Sequence, residues 1–273
     1  MSETPTDSRI NYGDRVLLYL DSRRTWLVQI NEDSPSFHTH AGIVDLKRLV
    51  GRRFGDIVLT TMNEKIEILK PSVLDFIMKS ERRTQIVYPK DFAYIAAISG
   101  IRSGSLILEC GTGSGALTSF FASLVAPTGF VRTFEERDDF FAIAGKNIAK
   151  AGMSSFVKME KGNLKDATNI EDSIYDLVML DTGDPWNLLE TAHHALKGSG
   201  YVFCICPTTN QLENVVATME SKFVDVECIE IMFRRIEARV GKTRPSTRMI
   251  GHTCYLASGR KVNGEIERVI LAS

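Results

Sequence analysis

With 273 residues, 44% of them hydrophobic, the chain can bury a sizeable core in one large or two modest domains. No apolar run approaches the roughly eighteen residues of a membrane helix, the start "MSETPTDSR" carries no signal pattern, and five scattered cysteines in apolar contexts suit a reduced, cytoplasmic protein. A net charge of −1 excludes a globally basic nucleic-acid binder.

Residues 10–70 hold short β-like runs, "DRVLLYL", "TWLVQI", "DIVLT" and "KIEIL", broken by the turn-rich stretches "NEDSPSFHTHAG" and "GRRFG". This texture predicts a small β-rich domain over residues 1–70. "KPSVLDFIMKSERR" reads as a helix or short connector, giving a linking segment over 71–91. From residue 92 the rhythm changes. Helix "FAYIAAIS", strand "SLILEC", helix "GALTSFFASLVA", strand "FVRTFE" and helix "RDDFFAIAGKNIAKAG" follow one another. Strands "FVKMEKGN" and "YDLVMLD", helix "WNLLETAHHAL", strand "GYVFCICP" and helix "TNQLENVVATMESKF" continue the alternation, and "VDVECIEI" and "TCYLASG" add two last strands. Such alternation predicts an α/β domain over 92–273, a mostly parallel sheet with helices on both faces. Cys204 and Cys206 alternate on one face of a strand with no matching Cys/His pair nearby, which favours core packing over a metal site.

Charge is distributed unevenly. Between Ile231 and Met249 stand Arg234, Arg235, Arg239, Lys242, Arg244 and Arg248 against the single acid Glu237. Smaller clusters occur at Lys47, Arg48, Arg52 and Arg53, and at Lys79, Arg82 and Arg83. Any one of these reads as solvated surface; three in a near-neutral chain mark a local anion-binding surface.

The segment "LECGTGSGALT" places Gly111, Gly113 and Gly115 between a strand and a helix. Glycines there let the backbone turn sharply and a ligand approach closely, and the helix start offers unpaired N–H groups. Gly111, Gly113 and Ala116 also satisfy the dinucleotide-binding pattern. Glu135, ending the next strand, can accept both hydroxyls of a ribose, which fits NAD and S-adenosylmethionine equally. Glu109 separates the two: a carboxylate beside the loop suits a cationic ammonium and repels a pyrophosphate. The E-x-G-x-G-x-G arrangement resembles the first motif of class I S-adenosylmethionine methyltransferases. Asn163, in the Gly162-Asn163 turn, falls where that family contacts adenine, although an Asp is common there.

The stretch "LDTGDPW" ends a core strand on Asp181, at the sheet edge where ligands of open α/β folds sit. A carboxylate there can accept a hydrogen bond from an exocyclic amine and support positive charge on an alkylated ring. Asp184, before Pro185, is placed to cap the following helix, and Trp186 offers an apolar or stacking surface.

Taken in order, "RRTQIVYPKDFAYI", "LECGTGSGALT", "TFEERDDF", "LDTGDPWNLL" and "RPSTRMIGHTCYLASGRKV" resemble the tRNA (adenine-N1)-methyltransferase family of the archaeal and bacterial TrmI type, and "HTHAGIVDLKRLVG" extends the likeness into the N-terminal domain. The resemblance implies a Rossmann-like catalytic domain behind a small β domain, S-adenosylmethionine as cofactor, a homotetramer, and N1-methylation of T-loop adenine 58 and in some archaea 57. It implies Asp181 as catalytic aspartate and a cofactor site of Glu109, Gly111, Thr112, Gly113, Ser114, Gly115, Ala116, Leu117, Glu135, Asn163 and Asp181, with Gln85 in a segment closing over the cofactor. Arg82, Arg83, Arg234, Arg235, Arg244 and Arg248 are the residues expected to grip tRNA. Direct methyl displacement requires no metal. Two other readings stay open: a methyltransferase of this fold acting on a small molecule or protein side chain, and a non-catalytic RNA-binding subunit.

Overall fold

The computed structural model of the protein describes residues 9–33, 35–81, 86–167, 169–264 and 266. The chain forms two compact units, Met1–Lys79 and Ser80–Ser273, which divides the stretch expected as a connector between them.

In the first unit, β1 (Arg15–Asp21), β2 (Arg24–Gln29), β5 (Ile57–Leu59) and β6 (Lys65–Leu69) form an antiparallel sheet in the order β2-β1-β6-β5. Period-two alternation decides which side is buried. Val16 and Leu18 of β1 and Ile66 and Ile68 of β6 are fully buried, in a cluster with Ile10, Ile30, Leu46 and Leu49. The stretch expected as a turn-rich connection contains a hairpin, β3 (Ser36–Thr39) with β4 (Gly42–Asp45). Its tight turn is closed by Thr39, whose hydroxyl donates to the Gly42 carbonyl and accepts from the Ala41 N–H. These contacts supply order that the polar composition hides. Helix α1 (Val73–Met78) starts with a reciprocal cap between Ser72 and Asp75.

The second unit runs α2 (Pro89–Ser99), β7 (Leu106–Cys110), α3 (Ala116–Val125), β8 (Phe130–Glu135), α4 (Asp138–Lys150), β9 (Val157–Lys161), β10 (Tyr175–Leu180), α5 (Leu189–Ala195), β11 (Leu196–Cys206), α6 (Thr209–Met219) and β12 (Phe223–Ile229). A two-stranded ribbon, β13 (Ile236–Glu237) and β14 (Arg244–Pro245), precedes β15 (Tyr255–Lys261). The sheet order is β12-β15-β11-β10-β7-β8-β9. Strands β9, β8, β7, β10 and β11 are parallel, while β15 inserts antiparallel between β11 and β12. The chain leaves β7 towards one edge and returns to β10 on its other side. The switch point, where such folds bind ligands, therefore lies between the carboxyl ends of β7 and β10.

Burial on both faces explains the continuous apolar runs of these strands. Leu108, Val178, Leu180, Val202, Cys204 and Cys206 share one core cluster, which puts the two cysteines among the packed apolar groups. Two buried charged residues interrupt them, Glu109 in β7 and Arg132 in β8; the second is paired. Its guanidinium is satisfied by Glu160 at 2.8 Å, Glu171 at 2.6 Å and the Asn169 carbonyl at 2.8 Å, as a buried charge requires.

Candidate active site

At the switch point the ends of β7 and β10 are bonded directly: the Asp181 N–H donates to the Cys110 carbonyl at 2.9 Å. Gly111 follows at once with φ +97°, and a Cβ built there would lie 2.0 Å from the Asp181 carbonyl oxygen. The first glycine of the loop is thus required by the backbone of Asp181 itself. Gly113, at φ +57°, turns its N–H to Glu135 Oε2 at 2.8 Å, and the Arg137 N–H reaches Oε1 at 3.0 Å. Two backbone donors thereby fix the Glu135 carboxylate at the end of β8 while leaving acceptor capacity on both oxygens.

These residues open onto a cavity of about 430 Å³, in the range of small-molecule sites. Gly111, Thr112, Gly113, Ser114, Ala116, Leu117, Glu135, Asn163 and Asp181 all line it. Gly115 does not; it begins α3 and packs close to Ile148 and Ala144 of α4. Asn163 caps a short turn, accepting from the Lys165 N–H at 3.0 Å and donating to Glu136 at 3.1 Å. Gln85, Arg82 and Arg83 lie outside the described residues.

Glu109 stands behind the wall rather than in it. It is buried, accepts from the Thr118 hydroxyl at 2.5 Å through Oε2, and has no hydrogen-bond partner for Oε1 among the described residues. Burial, with Asp181 and Glu135 nearby, pushes its carboxyl up to about 7. The Asp181 carboxyl is raised to about 6, chiefly by burial and then by Glu135. Its side chain makes no hydrogen bond among the described residues, so its acceptor capacity faces the cavity unspent. The Thr182 hydroxyl is likewise unpartnered among them.

The turn beyond differs from expectation in two ways. Asp184 makes no capping bond to the backbone; its carboxylate instead accepts from Asn187 Nδ2 at 2.7 Å, and a 3-10 turn at Pro185–Leu188 precedes α5. Trp186 packs half-buried against the core cluster and does not line the cavity.

Several contributors stand outside the expected site residues. Glu136, Arg137 and Phe140 line the cavity beyond β8, Pro207 and Gln211 beyond β11, and Arg137 lies over the Phe140 ring at 4.1 Å. Glu136, Arg137 and Phe140 fall within the segment "TFEERDDF", and the further signal for all five is position: each stands a few residues past the carboxyl end of a parallel strand, the edge at which open α/β sheets bind ligands. Asn147, buried on α4, ties the loop from behind: its amide donates to the carbonyls of Ser114 at 2.9 Å and Glu81 at 3.0 Å.

Among the described residues, four carboxylates, Glu135, Glu136, Asp181 and Asp184, line the cavity against the single guanidinium of Arg137. That lining suits a ligand with cationic centres and opposes a pyrophosphate. Together with the unpartnered Glu109 and Asp181 oxygens, it fits S-adenosylmethionine.

Arg234, Arg235, Arg244 and Arg248 lie away from the cavity, on the exposed segment carrying β13 and β14. Arg244 pairs with Glu237 at 2.9 Å, and Arg234 donates to the Ser246 carbonyl at 3.3 Å. Met232, Phe233, Ile236 and Val240 are exposed on the same segment. No described helix is long and apolar enough to cross a membrane.

The chain matches the family model described as the tRNA methyltransferase complex GCD14 subunit over residues 66–246. It is 32% identical to the tRNA (adenine(57)-N(1)/adenine(58)-N(1))-methyltransferase TrmI of Methanocaldococcus jannaschii, with 89% of this chain and 94% of the relative covered. Among solved structures it resembles an S-adenosylmethionine-dependent O-methyltransferase from Thermotoga maritima, with TM-score 0.86 and 36% identity over 94% of this chain and 96% of that one. It also resembles the tRNA (m1A58) methyltransferase TrmI of Aquifex aeolicus, with TM-score 0.80 and 29% identity over 94% and 100%. By its sequence and its fold, the chain is a member of the S-adenosylmethionine-dependent tRNA (adenine-N1)-methyltransferase family of the TrmI type.

Proposed function

We propose that the protein methylates N1 of adenine in the tRNA T-loop, at position 58 and, as the name of the Methanocaldococcus relative suggests, at 57 as well. The observation that carries this reading is Asp181, whose carboxylate, unpartnered among the described residues, sits at the switch point against the glycine loop. S-adenosylmethionine, when bound, supplies an electrophilic sulfonium methyl group. Glu135 is the acceptor for its ribose hydroxyls; the lining from Gly111 to Leu117 and Asn163 accommodates the rest, with Glu109 contributing negative charge from behind.

Asp181 acts on the substrate side. Its carboxylate accepts a hydrogen bond from the adenine N6 amine, which turns N1 towards the methyl, and it offsets the positive charge that develops on the ring. The base has to leave its stack to enter, at a cost of a few kcal/mol. The arginines of the exposed segment grip backbone phosphate to support that opening. Met232, Phe233 and Ile236, exposed beside them, are the apolar surface through which copies of the chain associate as a homotetramer. The tRNA substrate and the free cysteines Cys110, Cys204, Cys206, Cys228 and Cys254 support a cytoplasmic setting.

The deciding experiment is transfer from labelled S-adenosylmethionine to an unmodified tRNA transcript, read by nucleoside mass spectrometry. N1-methyladenosine mapped to the T-loop, and absent with Asp181→Ala, is the expected result. Cofactor binding with no tRNA product, or methyl label on oxygen, would refute the proposal.

A further inference from the structure

Gln211 lies in the first turn of α6 and lines the cavity, and both ends of its amide are engaged. Oε1 accepts from the Thr208 N–H at 3.2 Å and from the Thr208 hydroxyl at 2.9 Å, while the hydroxyl accepts from the Gln211 N–H at 3.4 Å. That half is a reciprocal helix cap, which a glutamate would serve as well. The other half is not explained by capping. Nε2 donates to the carbonyl of Gly183 at 3.0 Å, two residues beyond Asp181.

Gly183 sits in an exposed part of the Thr182–Asp184 turn. The turn is otherwise held at its start by the Asp181 N–H on Cys110, and at its end by Asn187, whose N–H and side-chain amide both bond Asp184. Between these anchors, the Gln211 amide is the described bond that ties the middle of the turn to a rigid element. Capping and turn placement are joined in one side chain, so the start of α6 and the wall beside Asp181 are bonded through Gln211.

We infer that Gln211 is a positioning residue for methyl transfer, its amide N–H holding the turn after Asp181 so that the carboxylate meets the acceptor base in register. This rests on the role proposed for Asp181. Misplacement of a reacting group by about 1 Å is enough to cost on the order of a hundredfold in rate. A single lost anchor is therefore expected to cost about tenfold or more in kcat.

Four variants of the full chain separate the alternatives. Gln211→Glu keeps the acceptor for Thr208 and loses the donor to Gly183; Gln211→Met loses both without adding charge. Thr208→Ala removes the cap and leaves the amide donor, and Asp181→Ala tests the underlying reading. Each is measured for kcat on a tRNA transcript, affinity for S-adenosylhomocysteine by calorimetry, melting temperature, and amide exchange in the peptide spanning 182–187. Both Gln211 variants should turn over about tenfold or more slowly, with cofactor-product affinity kept and exchange in the turn accelerated. Gln211→Glu should melt like the wild type, and Thr208→Ala should melt lower with near-normal kcat. Full kcat in either Gln211 variant overturns the inference. So does a loss of S-adenosylhomocysteine affinity that matches the rate loss, or equal slowing by Thr208→Ala, which would reduce Gln211 to a helix cap. If Asp181→Ala stays active, the Asp181 reading fails first; if it is inactive while Gln211→Glu is normal, only the positioning role falls.

Discussion

Replacing Gly111 by alanine tests how the glycine loop and the strand bearing Asp181 are joined. Two costs add at this position. The φ of +97° is a conformation that side chains with a Cβ avoid, worth about 1–3 kcal/mol. The new methyl would also lie 2.0 Å from the Asp181 carbonyl oxygen and 2.8 Å from its carbon, both rigid backbone. Relieving such an overlap costs roughly 1–3 kcal/mol more. The total, about 2–6 kcal/mol, is a large share of the stability of an ordinary domain. Two other glycines serve as controls. Gly113 has φ +57° and nothing within 4 Å of a built Cβ, so alanine there should cost about 1–2 kcal/mol from backbone strain alone. Gly145, inside α4 with open space around it, should gain about 0.5–1 kcal/mol as alanine. Urea unfolding followed through Trp186, in a Trp26→Phe background, reports the second unit. The expected order of stability is Gly145→Ala, wild type, Gly113→Ala, Gly111→Ala. Equal losses at 111 and 113 would refute the close approach of Gly111 to Asp181.

The remaining expectations concern charge. With Asp181 raised to about 6, kcat/KM should climb with pH and level off above that value, and Asp181→Asn should be slow and lack the step; an unchanged profile in the variant would assign the ionisation elsewhere. Glu109, pushed up to about 7 from 4.5, holds its proton more tightly folded than unfolded, so stability falls as pH rises between those values. Glu109→Gln should match the wild type near pH 4 and exceed it by about 3 kcal/mol at pH 8, and a pH-independent difference in denaturation midpoint would contradict this. Arg235 and Arg248 have no acidic partner among the described residues. Changing both to Gln should lower the slope of log affinity for tRNA against log salt by about 1–2, and an unaltered slope would remove this segment from the phosphate contacts.

Much of the site was legible because its signals are local. Strand and helix periods placed the alternating elements, three glycines between a strand and a helix marked the loop, and Glu135 and Asp181 each ended an apolar run. What escaped was set by neighbours distant in the chain. The β3–β4 hairpin lies in a stretch too polar to read as strand and is closed by Thr39 and Gly42 contacts. Nothing in the apolar period of "TCYLASG" says that β15 runs antiparallel between β11 and β12.

The sequence by itself determined the α/β class, the β-rich start, the loop and the two strand-end acids, since each is a pattern within one element and its flanks. Only tertiary structure decided that Glu109 lies behind the cavity, that Gly111 must lack a side chain because the Asp181 backbone is there, and that Asn147 and Gln211 tie the loop and the turn in place. A side chain's role depends on the groups that folding brings against it, and burial, close approach and hydrogen-bond partners are set by residues that the local pattern does not contain.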